Sequence, residues 1–464
     1  MIILLLALLL APAASAQQAP EVRAAWGFDR SDLVPHPGVR FGVLANGMRY
    51  AIMRNAEPSG GLSIRLRFDA GSTSEEEGEQ GMMHLLEHMV FEGTRQLPHR
   101  RLISRLERAG LEHWSDFGAA TYPHDTVYRL DLRRSDGESL GTGLEVMEQI
   151  ARGLAFSREL VGRARIRVEV EGQRRSVADR IDDAQTRFFM PGTPVAERPV
   201  HGDPDQILRA SPSRLQRLYR RHYVPQRATL IIVGDVHPDA VEAAVAARFS
   251  RWERRPSPTR DPAPSVEVQR RSETSVFIDP EAPTALTIAA VGPLLGEADA
   301  AAPRDRIFLA HLGCRMLARR LELLSGVASP DCSIYDHFRT ARIIRIDVAA
   351  PDRDWRRALA GTREALAAAL ERGFTAQELA AEVGRPSTQG ASRSSSALAD
   401  AIAASLQSGT IFTEPQDLSS RRAYLAGVRV EAVNSAFRAA WTAVPGRLLF
   451  VSHNEAIPDP ALLD

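Results

Sequence analysis

The chain has 464 residues, 44% of them hydrophobic, which exceeds the usual size of one core and predicts two domains. Its 58 basic and 58 acidic residues cancel, so no global field points to nucleic acid or to an acidic membrane surface. The arginines are interspersed with acids, the pattern of a solvated surface.

The chain begins "MIILLLALLLAPAASAQQAP". An apolar run ends at Pro12, and Ala14-Ser15-Ala16 has the small-x-small form of a cleavage site. Residues 1–16 therefore read as a signal peptide, although no Lys or Arg precedes the apolar run. The run is too short for a bilayer span, and no later segment is long and apolar enough for one. The expectation is an exported protein, periplasmic or secreted, with a mature chain from about Gln17 and no membrane span.

"LSIRLRF" alternates Leu62, Ile64, Leu66 and Phe68 with polar residues and predicts a half-buried strand. "STSEEEGEQGMMHLLEHMVF" follows. Ser74 and Glu77 stand at capping-box spacing, and the acids suit a helix N-terminus. The helix carries His84 and His88 four apart, hence one above the other on one face. Two imidazoles so placed can converge on one zinc ion, with nitrogens about 2.0–2.1 Å from it. Glu87, beside His88 and one turn from His84, is placed to take a proton from water activated at the metal. A catalytic zinc site also needs a third protein ligand and an open position.

"TVYRLDL" (126–132) and "ATLIIVGDV" (228–236) are further predicted strands. The proline-rich stretch from Arg254 to Val268 lacks apolar periodicity and reads as part of a linker over 253–268. The segments on either side of it repeat. "YVPQRATLIIVGD" at Pro225 matches "AVPGRLLFVSH" at Pro445, and "ARGLAFSREL" at Gly153 matches "ERGFTAQEL" at Gly373, both at an offset of 220. Adding that offset to the first strand lands on "APTALTIAAVG", another strand-like run. "DWRRALAGTREALAAALERG" predicts an amphipathic helix closed by Gly373. The two cysteines, Cys314 and Cys332, are as compatible with a disulfide as with two buried thiols. Strands and helices alternate irregularly without a Gly-rich phosphate loop, which favours α+β layers over a doubly wound parallel sheet.

Inverted His-x-x-Glu-His is a zinc-peptidase signature. Here "GSTSEEEGEQGMMHLLEHMVFEGT" resembles the metal helix of the pitrilysin, insulin-degrading enzyme and mitochondrial processing peptidase family of inverzincins. "RPVHGDPDQILRASPSRLQRLYRRHYVPQRATLIIVGDV" resembles the segment that closes that family's first domain. "SSSALADAIAASLQSGTIFTEPQDL" resembles the second domain of its bacterial periplasmic members. The resemblance implies two homologous α+β domains, each a largely antiparallel sheet packed with helices. A zinc-bearing N-terminal peptidase domain would span 25–252, and a homologous domain without a metal motif 269–464. The latter agrees with the repeat: the counterpart of His84 is Arg304, in "RDRIFLAHL".

The resemblance implies that the third zinc ligand is a glutamate some 75–80 residues after the second histidine, within Arg-x-x-Val-x-x-Glu-x-x-Arg. In "RIRVEVEGQRR", Glu171 has Arg165, Val168 and Arg174 at the matching offsets, while Glu169 is closer to the usual spacing, and both stay open. The family's second acid, seven residues before the ligand, is replaced by Ala164. The family's Asn-Ala-x-Thr edge strand, to which the peptide substrate adds by backbone hydrogen bonds, corresponds to "FGAATYPHDTVY". Ala119 and Thr121 match, Gly118 replaces the Asn, and Pro123 and His124 depart from the pattern. Losing such a carbonyl donor costs roughly 10²–10³ in rate. His124 is either a substitute donor or an ordinary surface-turn histidine.

Two functions are carried forward. One is a zinc-dependent endopeptidase acting on peptides or unfolded segments, with His84, His88 and Glu171 on the metal and Glu87 as base. The other is a weak or inert peptide-binding subunit of a two-chain peptidase chamber. The resemblance implies a homodimer or a heterodimer with a related chain.

Overall fold

The computed structural model describes residues 19–257, 272–294, 296, 298–351, 354–385, 393–414, 424–442 and 446–453. The leader-like start and most of the proline-rich stretch lie outside the described residues.

Two sheets organise the chain. The first contains β1 (Val39–Val43), β2 (Arg49–Arg54), β3 (Leu62–Phe68), β4 (Phe117–Thr121), β5 (Thr126–Leu132) and β6 (Ala228–Gly234), in the order β1-β2-β6-β3-β5-β4. The second contains β7 (Glu273–Ile278), β8 (Ala285–Pro293), β9 (Ala328–His337), β10 (Ala341–Ala349) and β11 (Gly446–Ser452), in the order β7-β11-β8-β10-β9. Without β1, the two orders superimpose strand for strand. The directions match as well: β2–β6 and β7–β11 are parallel, and every other pair is antiparallel.

The first half adds helices α1 (Pro20–Trp26), α2 (Met82–Phe91), α3 (His99–Arg108), α4 (Gly137–Arg152), α5 (Arg158–Gln173), α6 (Val177–Phe189), α7 (Pro194–Glu197), α8 (Pro204–Arg209), α9 (Pro212–His222) and α10 (Pro238–Phe249). The second adds α11 (Ala301–Glu322), α12 (Trp355–Glu371), α13 (Ala376–Val383), α14 (Ser395–Ser408) and the helix Val430–Thr442. This is the expected α+β duplication. The short repeat around Gly153 and Gly373 is a helix end, a loop and a helix start in both halves. Gly373 takes φ +75° just beyond α12, the left-handed C-terminal position that glycine adopts without steric cost. Beyond it, Ser157 and Thr375 cap α5 and α13 through the N–H groups of Leu160 and Glu378, each at 3.2 Å. The first copy holds two more residues before its cap, so the offset narrows from 220 to 218.

The burial of β3 differs from expectation. β3 is not half-buried: all seven of its residues are buried, Arg65 and Arg67 included. The cause is α14, which belongs to the second half of the sequence but lies on the polar face of the first sheet. Its Ala399, Ile402 and Ala403 pack with Phe41, Ala51, Ile231 and Val233. Its polar residues meet the strand arginines. Arg65 donates to Asp400 (2.6 Å), Asp131 (2.9 Å) and Ser396 Oγ (2.8 Å). Arg67 is held by Asp125 (2.8 Å) and Asp69, and Gln407 donates to Asp125 at 3.1 Å. Buried guanidinium groups are tolerated only with such pairing.

The exchange is reciprocal. α6, from the first half, lies on the second sheet, with Val177, Ile181 and Phe188 against Leu449 and Val451. Phe189, Met190 and Val195 continue the contact against Ala289, Val291 and Ile343. Arg180 of α6 pairs with Asp279 (2.7 Å) and Glu281 (2.6 Å). Each half thus covers the other's sheet with one helix, and the two are locked together. Cys314 of α11 and Cys332 of β9 form a disulfide that ties a helix to the edge of the second sheet.

Candidate metal centre and edge strand

α2 buries Met82, Met83, Leu85, Leu86, Met89 and Val90 and turns His84, Glu87 and His88 toward a cleft. Its start differs from the expected capping box. Residues 72–74 form a short 3₁₀ turn, and α2 begins at Met82, after Gly81 in the left-handed region (φ +90°). Gly81 is required twice over, because a Cβ there would meet Ile207 at 2.7 Å and Gly202 Cα at 3.0 Å. The cap comes from Glu75, whose carboxylate accepts the N–H groups of Gly81 (3.0 Å) and Met83 (2.7 Å). Burial pushes the Glu75 carboxyl up to about 8, against the pull of those two N–H donors.

At the other end of α2, the buried carboxylate of Glu92 accepts Arg163 Nε and Arg167 Nε, both at 2.6 Å. Both arginines lie on α5, one turn apart, and the next turn carries Glu171. Glu92 therefore clamps α5 along α2 and sets the height of Glu171. Ala164, where the family's second acid would stand, is buried within the first core.

Three side chains converge. His84 Nε2 and His88 Nε2 are 3.2 Å apart, and Glu171 Oε2 is 3.0 Å from His88 Nε2 while its Oε1 is 3.7 Å from His84 Nε2. Their donor atoms, all within 4.8 Å of one another, form a group that could hold a metal ion. Glu169 is exposed and does not line the cleft. The neighbouring imidazoles of His84 and His88 hold the Glu171 carboxyl well below the usual range. Burial opposes charge on His84, but the nearby Glu171 carboxylate and the charges of Glu87 and Glu75 outweigh it and raise its pKa.

The residues fit a zinc ion. Ligand bonds of about 2.0–2.1 Å in tetrahedral geometry separate donors by about 3.3 Å. The two imidazole nitrogens, 3.2 Å apart, lie close to that value, and a Glu171 oxygen stands near each of them, Oε2 at 3.0 Å from His88 and Oε1 at 3.7 Å from His84. Two neutral imidazole nitrogens aimed at each other repel unless a proton or a cation lies between them, and a carboxylate completes a donor set typical of zinc.

Glu87 stands beside the group but outside it. It is buried, and Thr121 Oγ1 donates to its Oε2 at 2.9 Å. Burial raises the Glu87 carboxyl, and the imidazoles of His84 and His88 and the Thr121 hydrogen bond only partly offset that. Thr121 ends β4, the last strand of the first sheet, which pairs only with β5 among the described residues. Gly118, Ala119, Ala120 and Thr121 all line the cleft, whose volume is about 980 Å³. The outer edge of β4 offers backbone groups to an extended chain. α6 and Phe338, from the β9–β10 turn of the second half, also border the cleft.

His124 does not face the cleft. Its Nδ1 is 2.8 Å from Thr73 Oγ1 and its Nε2 is 3.4 Å from Thr340 Oγ1, so it bridges the two halves. Glu75 and Glu92 escape sequence reasoning because each acts on residues that no local period connects to it. The capping contacts come from Glu75, not from the Ser74–Glu77 pair.

Residues 50–195 match the insulinase family (peptidase family M16), and residues 209–384 match the peptidase M16 inactive domain. The chain belongs to peptidase family M16. Among curated M16 relatives, a probable zinc protease PqqL of Haemophilus influenzae is 33% identical over 216 residues, 46% of this chain and 23% of that protein. The probable zinc protease PqqL of Escherichia coli is 29% identical over 211 residues, again 23% of its length. The chain thus spans about a quarter of these curated relatives in the matched segments. The solved first half of the E. coli periplasmic protease PqqL covers 93% of this M16 chain and 96% of its own, with a TM-score of 0.82 at 21% identity, which shows the shared fold. Against the structure of the E. coli periplasmic protease PqqL, the same 93% covers 50% of that chain. α11 lies within the inactive-domain match, and its Arg304, 220 residues after His84 in sequence, is paired with Asp299 at 2.7 Å.

Proposed function

We propose that the chain is a zinc-dependent endopeptidase that hydrolyses peptides or unfolded segments. The observation that carries this reading is the meeting, in one cleft, of the His84–His88–Glu171 group, the adjacent Glu87 and the open edge of β4. His84, His88 and Glu171 hold the metal. Zinc bound there supplies Lewis acidity.

The remaining chemistry falls to the chain's own groups. β4 takes up the peptide as an added strand, with Gly118, Ala119 and Thr121 along it, and holds it extended by backbone hydrogen bonds. Glu87 Oε2 is occupied by Thr121, which leaves Oε1 to accept the proton of the attacking water. The same proton then passes to the amide nitrogen as the C–N bond breaks. Thr121 is thus a positioning residue for the base as well as part of the peptide strand.

Treatment with a chelator is expected to abolish cleavage of an unstructured fluorogenic peptide, and one equivalent of zinc to restore it. A chain that takes up no zinc, or that cleaves equally well without it, would sink the reading.

The match covers 50% of the solved E. coli PqqL chain, and the proposed active form sets a second such pair of domains, from another copy or a related chain, against this one. Enclosure excludes water and strengthens the electrostatics of the site. Specific activity should then fall on dilution as light scattering reports dissociation. A monomer of undiminished activity would reject the chamber and leave the zinc assignment standing. The periplasm is the proposed compartment, supported by the leader-like start and by the Cys314–Cys332 disulfide, which an oxidising compartment preserves.

A further inference from the structure

Gly118 lies in mid-strand with no left-handed φ, so its backbone does not call for glycine. What the position lacks is a side chain, and that space is taken. A Cβ built there would lie 2.8 Å from Arg129 Nε, 3.3 Å from Nη2 and 3.4 Å from Cζ. Arg129 is the cross-strand partner of Gly118 on β5. Its stem therefore rises on the same face, and its guanidinium is laid across the last strand of the sheet.

This cation is exposed and nearly unused. Among the described residues its one side-chain hydrogen bond runs from Nη2 to the Ser115 carbonyl, at 3.3 Å. Among the described residues no carboxylate lies within 4.0 Å of it, in contrast to Arg65 and Arg67 on the same sheet. Four of its five N–H donors remain to be offered to a ligand.

We propose that Arg129, laid across Gly118, selects peptides that carry an acidic side chain at the position opposite Gly118. The inference rests on the reading of β4 as the strand that takes up the peptide. A strand added there places one residue about 4.5–5.5 Å from Gly118, with its side chain on one face of the extended sheet. When that face is the one Arg129 covers, an Asp or Glu side chain meets the planar fork of the guanidinium, whose geometry matches a carboxylate bidentately. Ala120, the next residue on that face of β4, is also small and leaves the approach clear. Gly118 is three residues from Thr121, or about 10 Å along a strand. Selection is thereby separated from the proton chemistry at Glu87. The glycine that costs the edge strand an amide donor gives it a cationic one.

The test uses binding, so that it does not depend on turnover. In the zinc-loaded Glu87→Gln protein, fluorescence anisotropy would measure a set of short unstructured peptides. A single Asp is moved through the sequence, and each peptide is compared with its Asn counterpart. At one position the Asp peptide should bind about 10- to 50-fold more tightly, as expected for a hydrogen bond to a charged group, and the advantage should shrink with salt. Arg129→Gln should bring the Asp/Asn ratio close to one, and Arg129→Lys should keep part of it. Gly118→Asn, which pushes the guanidinium off the strand, should also collapse the ratio.

A ratio near one at every position, or one that survives Arg129→Gln, overturns the proposal. An equal loss for Asp and Asn peptides also overturns it, because it would mean that Arg129 holds a backbone carbonyl. Peptide cleavage by the parent without Asp preference would reject the acidic selection and leave the peptidase reading intact. An Asp preference in a protein that cleaves nothing would do the reverse.

Discussion

Glu87→Gln should lower peptide cleavage by about three orders of magnitude or more while zinc content stays at the parent level. General-base catalysis is worth about 10²–10⁴ in rate, and Glu87 is the carboxylate placed to serve as that base. It stands outside the group formed by His84, His88 and Glu171, so its loss removes no metal donor. Glutamine has nearly the same shape, and its amide oxygen can still accept the Thr121 hydroxyl that now reaches Glu87 Oε2 at 2.9 Å. What it cannot do is take a proton. His88→Ala should instead lose zinc and cleavage together. Metal analysis beside a peptide assay reads both variants. A Glu87→Gln protein that cleaves like the parent would show that the base has been misassigned.

The candidate site on α2 was legible because its information is local. His84, Glu87 and His88 sit within five residues of one helix, and the 3.6-residue period alone puts the two imidazoles on one face. The duplication was legible for a related reason: Gly373 and the caps at Ser157 and Thr375 mark the same helix ends in both halves. What escaped depends on contacts between distant parts of the chain. The alternation in "LSIRLRF" gave β3 a polar face, which is there, but Arg65 and Arg67 are covered by a helix more than 300 residues away that brings Asp400, Ser396 and Gln407 to meet them. Nothing in a strand's own pattern separates an arginine in water from one buried against such a helix. Gly118 shows the same limit at the candidate site. As a letter in a motif it reads as a missing amide, whereas across the strand pair it is the gap through which Arg129 passes.

The choice between Glu171 and Glu169 turns on the same distinction between spacing and contact. Glu171→Gln should weaken zinc binding more than about 100-fold, whereas Glu169→Gln should stay within about twofold of the parent. Spacing favoured Glu169, but the two residues are two apart on α5, which rotates their side chains by about 200° around the helix. Glu171 Oε2 comes to 3.0 Å from His88 Nε2, while Glu169 stays in solvent. Ligands must be deprotonated to bind. The contacts with His84 and His88 hold the Glu171 carboxyl below its usual range, which favours the charged form. Its amide replacement keeps the shape but loses the charge and one acceptor oxygen, leaving two imidazoles where a catalytic zinc needs three protein ligands. Glu92→Gln should fall between the two, by about 10- to 100-fold, as expected for a residue that orients a ligand rather than binding the metal. It weakens the clamp on Arg163 and Arg167 that sets the height of α5 against α2. Competition with a calibrated chelator measures all three variants. Equal affinity in Glu171→Gln and Glu169→Gln would reject Glu171, and the reverse order would transfer the third position to Glu169.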